Sequence, residues 1–171
     1  MTTAILGEKH ILVAEDEFLL ADDLCRDLEG TGAVVVGPVP SVKHALALIA
    51  SAPAIDAAVL DANLGGEMAF LVADALLAKS VPFIFTSGYD DAVLKQRYPQ
   101  VPRCQKPTHF SSVAQALAAA LADKTLASMA TTGAAHNLPL RVQSYTNGHV
   151  TPTSTTASGS VRRMRGWDPQ D

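Results

Sequence analysis

Polar residues punctuate this chain at four points, each just after a short apolar run. Glu15-Asp16 follows Ile-Leu-Val-Ala, Asp61 follows Ala-Ala-Val-Leu, Thr86-Ser87 follows Pro-Phe-Ile-Phe, and Lys106-Pro107 follows Val-Pro-Arg-Cys-Gln. Three carboxylates are hard oxygen ligands of the kind that hold Mg²⁺, an ion that keeps several waters and binds through a few carboxylates and phosphate oxygens. A hydroxyl and an ammonium beside them can hydrogen-bond and neutralise a phosphoryl group. As a set, these residue types suit the phosphorylation of an aspartate, with Asp61 as nucleophile. Taken singly they carry no such reading. A strand-end aspartate often caps a loop, an acidic pair at a helix start complements the helix dipole, and a lysine before proline is an ordinary surface residue.

The elements that must bring these residues together can be read from the same runs. Continuous apolar segments without alternation fit parallel strands buried on both faces, and chemistry in such sheets gathers beyond the strands' carboxyl ends. Strand one is expected at 11–14, followed by a helix at 17–29 in which Leu20, Leu24 and Leu28 recur at helical spacing and which Gly30 and Gly32 end. Strand two spans 33–36, closed by Gly37-Pro38. Ser41 caps a helix that carries Val42, Ala45, Leu46 and Ile49 on one face. After Pro53 comes the most central strand, 57–60, and a loop, Asp61-Ala-Asn-Leu-Gly-Gly, whose glycines allow unusual backbone angles. Met68, Val72, Ala75 and Leu76 line helix three, and 83–85 is strand four. Helix four, 90–98, is polar apart from Val93 and Leu94 and should be short and mobile, with Pro99 close behind it. Strand five is 101–105. Ser111 or Ser112 opens a last, alanine-rich helix with Val113, Leu117 and Leu121 facing inward. Five strands joined by crossover helices make a doubly wound α/β fold with a parallel sheet.

In the order and spacing of its motifs, over roughly residues 9–123, the chain resembles the receiver domain of bacterial two-component response regulators. Asp61 lies 45 residues after Asp16, and Lys106 lies 45 residues after Asp61. Phe-Thr-Ser-Gly-Tyr at 85–89 looks like the Phe-Ala-Thr-Gly-Tyr motif of a subfamily of mostly single-domain receivers. The resemblance implies a flavodoxin-like fold with strand order 2-1-3-4-5. It also implies Asp61 as phosphoacceptor, and Mg²⁺ held by Glu15, Asp16, Asp61 and the backbone carbonyl of Asn63. By the same resemblance Lys106 pairs with the phosphoryl oxygens ahead of a cis bond to Pro107, and Ser87 is the switch hydroxyl, with Thr86 as the alternative. One departure stands out. Many receivers carry Tyr or Phe three residues before the lysine, where this chain has Arg103, and Tyr89 is expected to take over the aromatic role.

The function so implied is a single-domain response regulator in a phosphorelay, a signalling protein rather than an enzyme. Its partners would be a sensor histidine kinase or histidine phosphotransfer protein and a downstream protein, and the face made by helix four, strand five and helix five is a candidate homodimer surface. A rival is a phosphatase of the haloacid-dehalogenase type, which uses similar groups but places its nucleophile in Asp-x-Asp on the first strand and its acidic pair last. Here Asp61-Ala-Asn63 lies on the third strand and the acidic pair comes first. A receiver-like adaptor that works without phosphorylation is a third reading, against which the complete acceptor set argues.

Composition narrows the field further. With 48% hydrophobic and 18% charged residues the chain is of globular type. Residues 1–124 carry 9 Lys+Arg against 15 Asp+Glu, a balance that argues against nucleic-acid binding by this part. No run reaches the roughly 18 apolar residues of a membrane span, and no signal core opens the chain, so a cytoplasmic location is expected. Cys25 and Cys104 lack metal or redox spacing and read as reduced, buried thiols. The five histidines have neither ligand spacing nor an obvious partner. Residues 124–171, rich in Thr, Ser, Gly and Pro, are expected to form a disordered tail, whose stretch from Val161 to Trp167 reads as a solvated basic segment, the commoner case, or as a docking peptide for an acidic or phospholipid surface.

Overall fold

The computed structural model describes residues 6–88 and 92–133. The apolar runs form five strands, β1 (His10–Ala14), β2 (Val34–Val39), β3 (Ala57–Asp61), β4 (Phe83–Ser87) and β5 (Arg103–Gln105). Between and after them lie α1 (Phe18–Gly30), α2 (Val42–Ser51), α3 (Phe70–Ala78), α4 (Ala92–Arg97) and α5 (Phe110–Gly133). Every neighbouring pair in the sheet is parallel and the order is β2-β1-β3-β4-β5, the doubly wound arrangement expected from the sequence.

Side-chain alternation along the strands sorts the apolar residues into two cores, one on each face of the sheet. Leu12, Leu60 and Phe85 pack with Val42, Ala45 and Ile49 of α2, Val72 and Leu76 of α3, and Leu94 of α4. Ile11, Val13, Val59 and Ile84 pack on the other face with Leu28 of α1 and Val113 and Leu117 of α5. Buried on both sides, β3 exposes none of its five residues. Leu6 is fully buried in the second core, so that core extends upstream of the boundary expected at residue 9. No described helix is long and apolar enough to cross a membrane.

Several elements differ from the sequence expectation, each for a local reason. In α1 the buried face is centred on Ala21 and Leu28, with Leu24 and Cys25 half-buried, and Leu20 turns to the rim at 38% exposure. Strand β2 continues through Gly37-Pro38 to Val39. As an edge strand it tolerates a proline without a donor, and the ladder to β1 takes up the irregularity as a register shift. The loop after Asp61 is a small antiparallel hairpin, Asn63–Leu64 with Glu67–Met68, turned by Gly65 and Gly66 at φ of +64° and +90°. Met68 therefore lies in that hairpin, partly exposed, and helix three begins after it. Strand β5 keeps only three of the five expected residues, and α5 begins at Phe110, just ahead of the two serines. That helix runs past Lys124 to Gly133, carried on from the alanine-rich turns before it through a stretch, Thr125 to Gly133, that the sequence expectation places in the tail. Residues 134–171, and with them the basic stretch near Trp167, lie outside the described residues, as does Tyr89.

Helix α4 has only six residues, too few to be stable alone, and tertiary contacts hold it. Leu94 is buried, and Tyr98 just beyond the helix packs on Phe85 with ring centroids 5.5 Å apart. The Tyr98 hydroxyl donates to Asp74 Oδ1 at 2.8 Å and lies 3.2 Å from the Phe70 carbonyl oxygen, while Arg97 pairs with the other oxygen of Asp74 at 2.7 Å. Burial, reinforced by the bond to Asp74 and by its charge, pushes the Tyr98 phenol up to about 12. Arg103 donates to the Tyr98 and Val101 carbonyls, both at 3.3 Å, and thereby supports the chain between α4 and β5. Two histidines have partners after all. His10 is bonded to Asp56 through its backbone N–H at 2.8 Å, and His44 Nδ1 lies 2.8 Å from Ser41 Oγ at the start of α2.

Gly37 is the position where the backbone leaves least freedom. Its φ is +111°, and a Cβ there would lie 2.9 Å from the Val13 carbonyl oxygen. Gly37→Ala should therefore cost about 2 kcal/mol or more, through strain and the forced retreat of β1. Denaturant unfolding would show this as a fall in midpoint at constant slope, and an unchanged midpoint would refute it.

Candidate functional site

The strand order places β3 between β1 and β4, so the carboxyl ends of β1, β3, β4 and β5 stand side by side and carry Glu15, Asp61, Thr86-Ser87 and Lys106 at one edge. Lys106 is the centre of the cluster. Its Nζ donates to Asp61 Oδ2 at 2.6 Å and lies 3.0 and 2.9 Å from the two oxygens of Glu15. Both carboxylates are about 6% exposed, and leaving either charge unpaired at such depth would be costly. Burial, with the charge of Asp61 added, pushes the Glu15 carboxyl up, and Lys106 only partly offsets this. Burial pulls the Lys106 ammonium down, but its bonds to Asp61 and Glu15 outweigh that and hold its pKa above the ordinary lysine value.

Backbone amides fix the other groups. Asn63 N–H donates to Asp61 Oδ1 at 3.0 Å, and Gly65 N–H, in the hairpin turn, donates to Asp16 Oδ2 at 3.0 Å. The Asn63 side chain accepts from Gly66 N–H at 2.7 Å and so holds the turn that presents the Gly65 amide. The hairpin thus orders the acidic pocket, a role that Asn-x-Gly-Gly signals only once the turn is seen. Lys106 is anchored by its own N–H to the Ser87 carbonyl at 2.7 Å and is followed by a cis bond to Pro107.

Glu15, Asp16 and Asp61 each offer a carboxylate oxygen within 4.8 Å of the others, two from buried residues and one from an exposed residue. Three carboxylates are donor chemistry compatible with a hard divalent cation such as Mg²⁺, which binds through a few carboxylates together with water and phosphate oxygens. Ser87 and Thr86 are both buried beside the cluster. They point to opposite faces of the sheet, because Phe85 belongs to the core under α3 and α4 while Ile84 belongs to the core under α1 and α5. The sequence could not separate the two hydroxyls in this way. The structure brings Glu15, Asp16, Asp61 and Lys106 together and places Thr86 and Ser87 at the end of the neighbouring strand; Asn63 meets Asp61 through its N–H, and Tyr89 lies outside the described residues.

Removing the ammonium should expose the electrostatic debt of the cluster. A carboxyl whose folded pKa is raised contributes stability that is present below its ordinary value and is lost as the pH rises through the folded value. In Lys106→Met the pKa of Glu15 should rise further. The thermal midpoint of this variant, without added Mg²⁺, should then fall relative to the native chain as the pH rises from the ordinary carboxylate range through the raised value of Glu15. Mg²⁺ should restore part of the loss. Parallel midpoint profiles for the two proteins across that range would contradict the coupling.

A scan against protein-family models gave no match, and a search of curated proteins gave none either. Solved structures do match. SdrG from Sphingomonas melonis is 43% identical, with 67% of this chain and 96% of SdrG covered at a TM-score of 0.59. The signal receiver domain of a modulated diguanylate cyclase from Desulfovibrio desulfuricans is 27% identical, with 69% of this chain and 97% of that domain covered at a TM-score of 0.61. A response regulator receiver protein from Sinorhizobium medicae, 24% identical, shares the fold at a TM-score of 0.64, with 70% of this chain and 98% of that protein covered. Sequence identity over nearly the whole of SdrG and a common fold with these receivers lead to one conclusion: the chain belongs to the family of response regulator receiver domains.

Proposed function

We infer that the chain is a phosphoacceptor in a two-component phosphorelay, taking a phosphoryl group on Asp61 from a histidine kinase or a histidine phosphotransfer protein. The observation that carries this reading is the Lys106 ammonium bridging the buried Asp61 and Glu15 carboxylates beside Asp16. An Asp61 carboxylate oxygen attacks phosphorus, the bond from phosphorus to the donor imidazole nitrogen breaks, and an acyl phosphate forms while the imidazole takes a proton. Asn63 N–H holds the other Asp61 oxygen, which orients the attacking one. Lys106 redirects its ammonium N–H groups from the carboxylates to the phosphoryl oxygens, and Ser87, at the end of β4, donates its hydroxyl to them. Glu15, Asp16 and Asp61, with the Asn63 carbonyl, would hold Mg²⁺, which when bound offsets carboxylate repulsion and phosphoryl charge.

The signal would leave through α4 and the strand and helix that follow it. Helix α4 is short and depends on tertiary contacts, and small displacements at a site are amplified by elements near the edge of stability. The face made by α4, β5 and α5 is the candidate surface for a downstream protein or a second copy. SdrG, the 43% identical structure, is also known in a BeF3-activated conformation, which supports the same kind of response here. The order of the motifs, with Asp61 on the third strand and the acidic pair on the first, favours this reading over a haloacid-dehalogenase-type phosphatase.

Incubation with acetyl phosphate and Mg²⁺ should add one phosphoryl mass, stable to acid and released by base or hydroxylamine. The label should vanish in Asp61→Asn and when Mg²⁺ is chelated. Its persistence in Asp61→Asn, or steady turnover of simple phosphomonoesters, would overturn the assignment.

A further inference from the structure

Among the described residues, one buried side-chain polar atom has no hydrogen-bond partner, the hydroxyl oxygen of Thr86. Thr86 is 3% exposed and lies in register between Asp61 of β3 and Cys104 of β5. Its side chain shares a sheet face with Ile84, in the core under α1 and α5, and Glu15 follows Val13 of that same core. Thr86 and Glu15 also line one cavity of about 330 Å³, bounded by Leu24 of α1 and by Phe110 and Val113 of α5. An orphaned buried hydroxyl destabilises a fold, and an aliphatic residue of the same shape would remove that cost. The question is what the hydroxyl does in another state of the site.

Lys106 supplies the side-chain donor that Glu15 has here. The proposal rests on the phosphoacceptor reading, in which Lys106 turns to the phosphoryl group and leaves the buried Glu15 carboxylate short of a partner. We propose that Thr86 is a positioning residue for Glu15, its hydroxyl donating to that carboxylate once Lys106 has left it and so keeping Glu15 directed at the cation. Thr86 and Ser87 then divide the work. Ser87 serves the phosphoryl group on the α4 side of the sheet, and Thr86 serves the metal carboxylate on the α1 and α5 side.

The test compares the full chain with Thr86→Val and Thr86→Ser. Thermal midpoints are read without ligand, and Mg²⁺ titrations are followed calorimetrically with and without beryllofluoride as phosphoryl mimic. Thr86→Val should raise the ligand-free midpoint by about 3 °C, since it removes an unpaired hydroxyl. It should weaken Mg²⁺ binding about tenfold with the mimic present, the scale on which groups that orient a metal ligand act. Without the mimic, where Lys106 still holds Glu15, the affinity should be nearly native. Thr86→Ser should bind like the native chain in both states, a rescue that a purely structural role would not produce. Native Mg²⁺ affinity of Thr86→Val in the mimic-bound state would overturn the inference, and so would a lowered ligand-free midpoint. Failure of the native chain to take up Mg²⁺ would instead sink the phosphoacceptor reading, and this inference with it.

Discussion

One ammonium between two buried carboxylates organises the carboxyl edge of this sheet. Lys106 must reach Glu15 on β1's end and Asp61 on β3 at once, and it does so from β5, across the intervening end of β4. Charges at this depth are tolerated only when they are paired and hydrogen-bonded. The surrounding backbone supplies the rest of that pairing, with Asn63 N–H on Asp61, Glu17 N–H on Glu15 and Gly65 N–H on Asp16. The cluster is therefore both a cost and a constraint. The loops after β1, β3 and β5 have to take the conformations that satisfy it.

The two-sided sheet separates the consequences of events at that edge. Glu15, Asp61 and Thr86 lie on the face covered by α1 and α5, whereas Ser87 follows Phe85 toward α3 and α4. On the latter side an aromatic group of Phe83, Phe85 and Tyr98, tied by Asp74 to Arg97, is what keeps the six residues of α4 in place. Arg103, standing where many receivers have an aromatic residue, donates to the carbonyls between α4 and β5. A polar bracket thus occupies the place of an aromatic toggle. The fold itself is shared with receivers only 24% identical to this chain, so its own behaviour lies in such local choices of side chain.

Much of this was legible in the sequence because parallel strands buried on both faces leave an unambiguous trace. Continuous apolar runs such as Ala57 to Leu60 cannot alternate, and the polar residue that ends each run must sit at the sheet edge where water or a ligand can meet it. Asp61, Asp16, Glu15 and Lys106 could be named for that reason. Their mutual distances could not, since these come from four crossovers that bring residues 45 and 91 positions apart within hydrogen-bonding range.

What escaped the sequence is governed by local backbone geometry or by neighbours distant in the chain. The hairpin at Asn63 to Met68 depends on two glycines with positive φ and moved Met68 out of the helix in which periodicity had placed it. The passage of β2 through Gly37-Pro38 is possible only because β2 is an edge strand, a property of the whole sheet. Periodicity likewise put Leu20 on the buried face of α1, where the fold instead centres Ala21 and Leu28. The sequence alone determined the strand-helix alternation and the chemical identity of the site, because burial pattern and residue type are local. Only the tertiary structure decided which of two adjacent hydroxyls faces which layer and that one of them has no partner, because strand parity and cross-strand register acquire meaning only when the sheet is assembled.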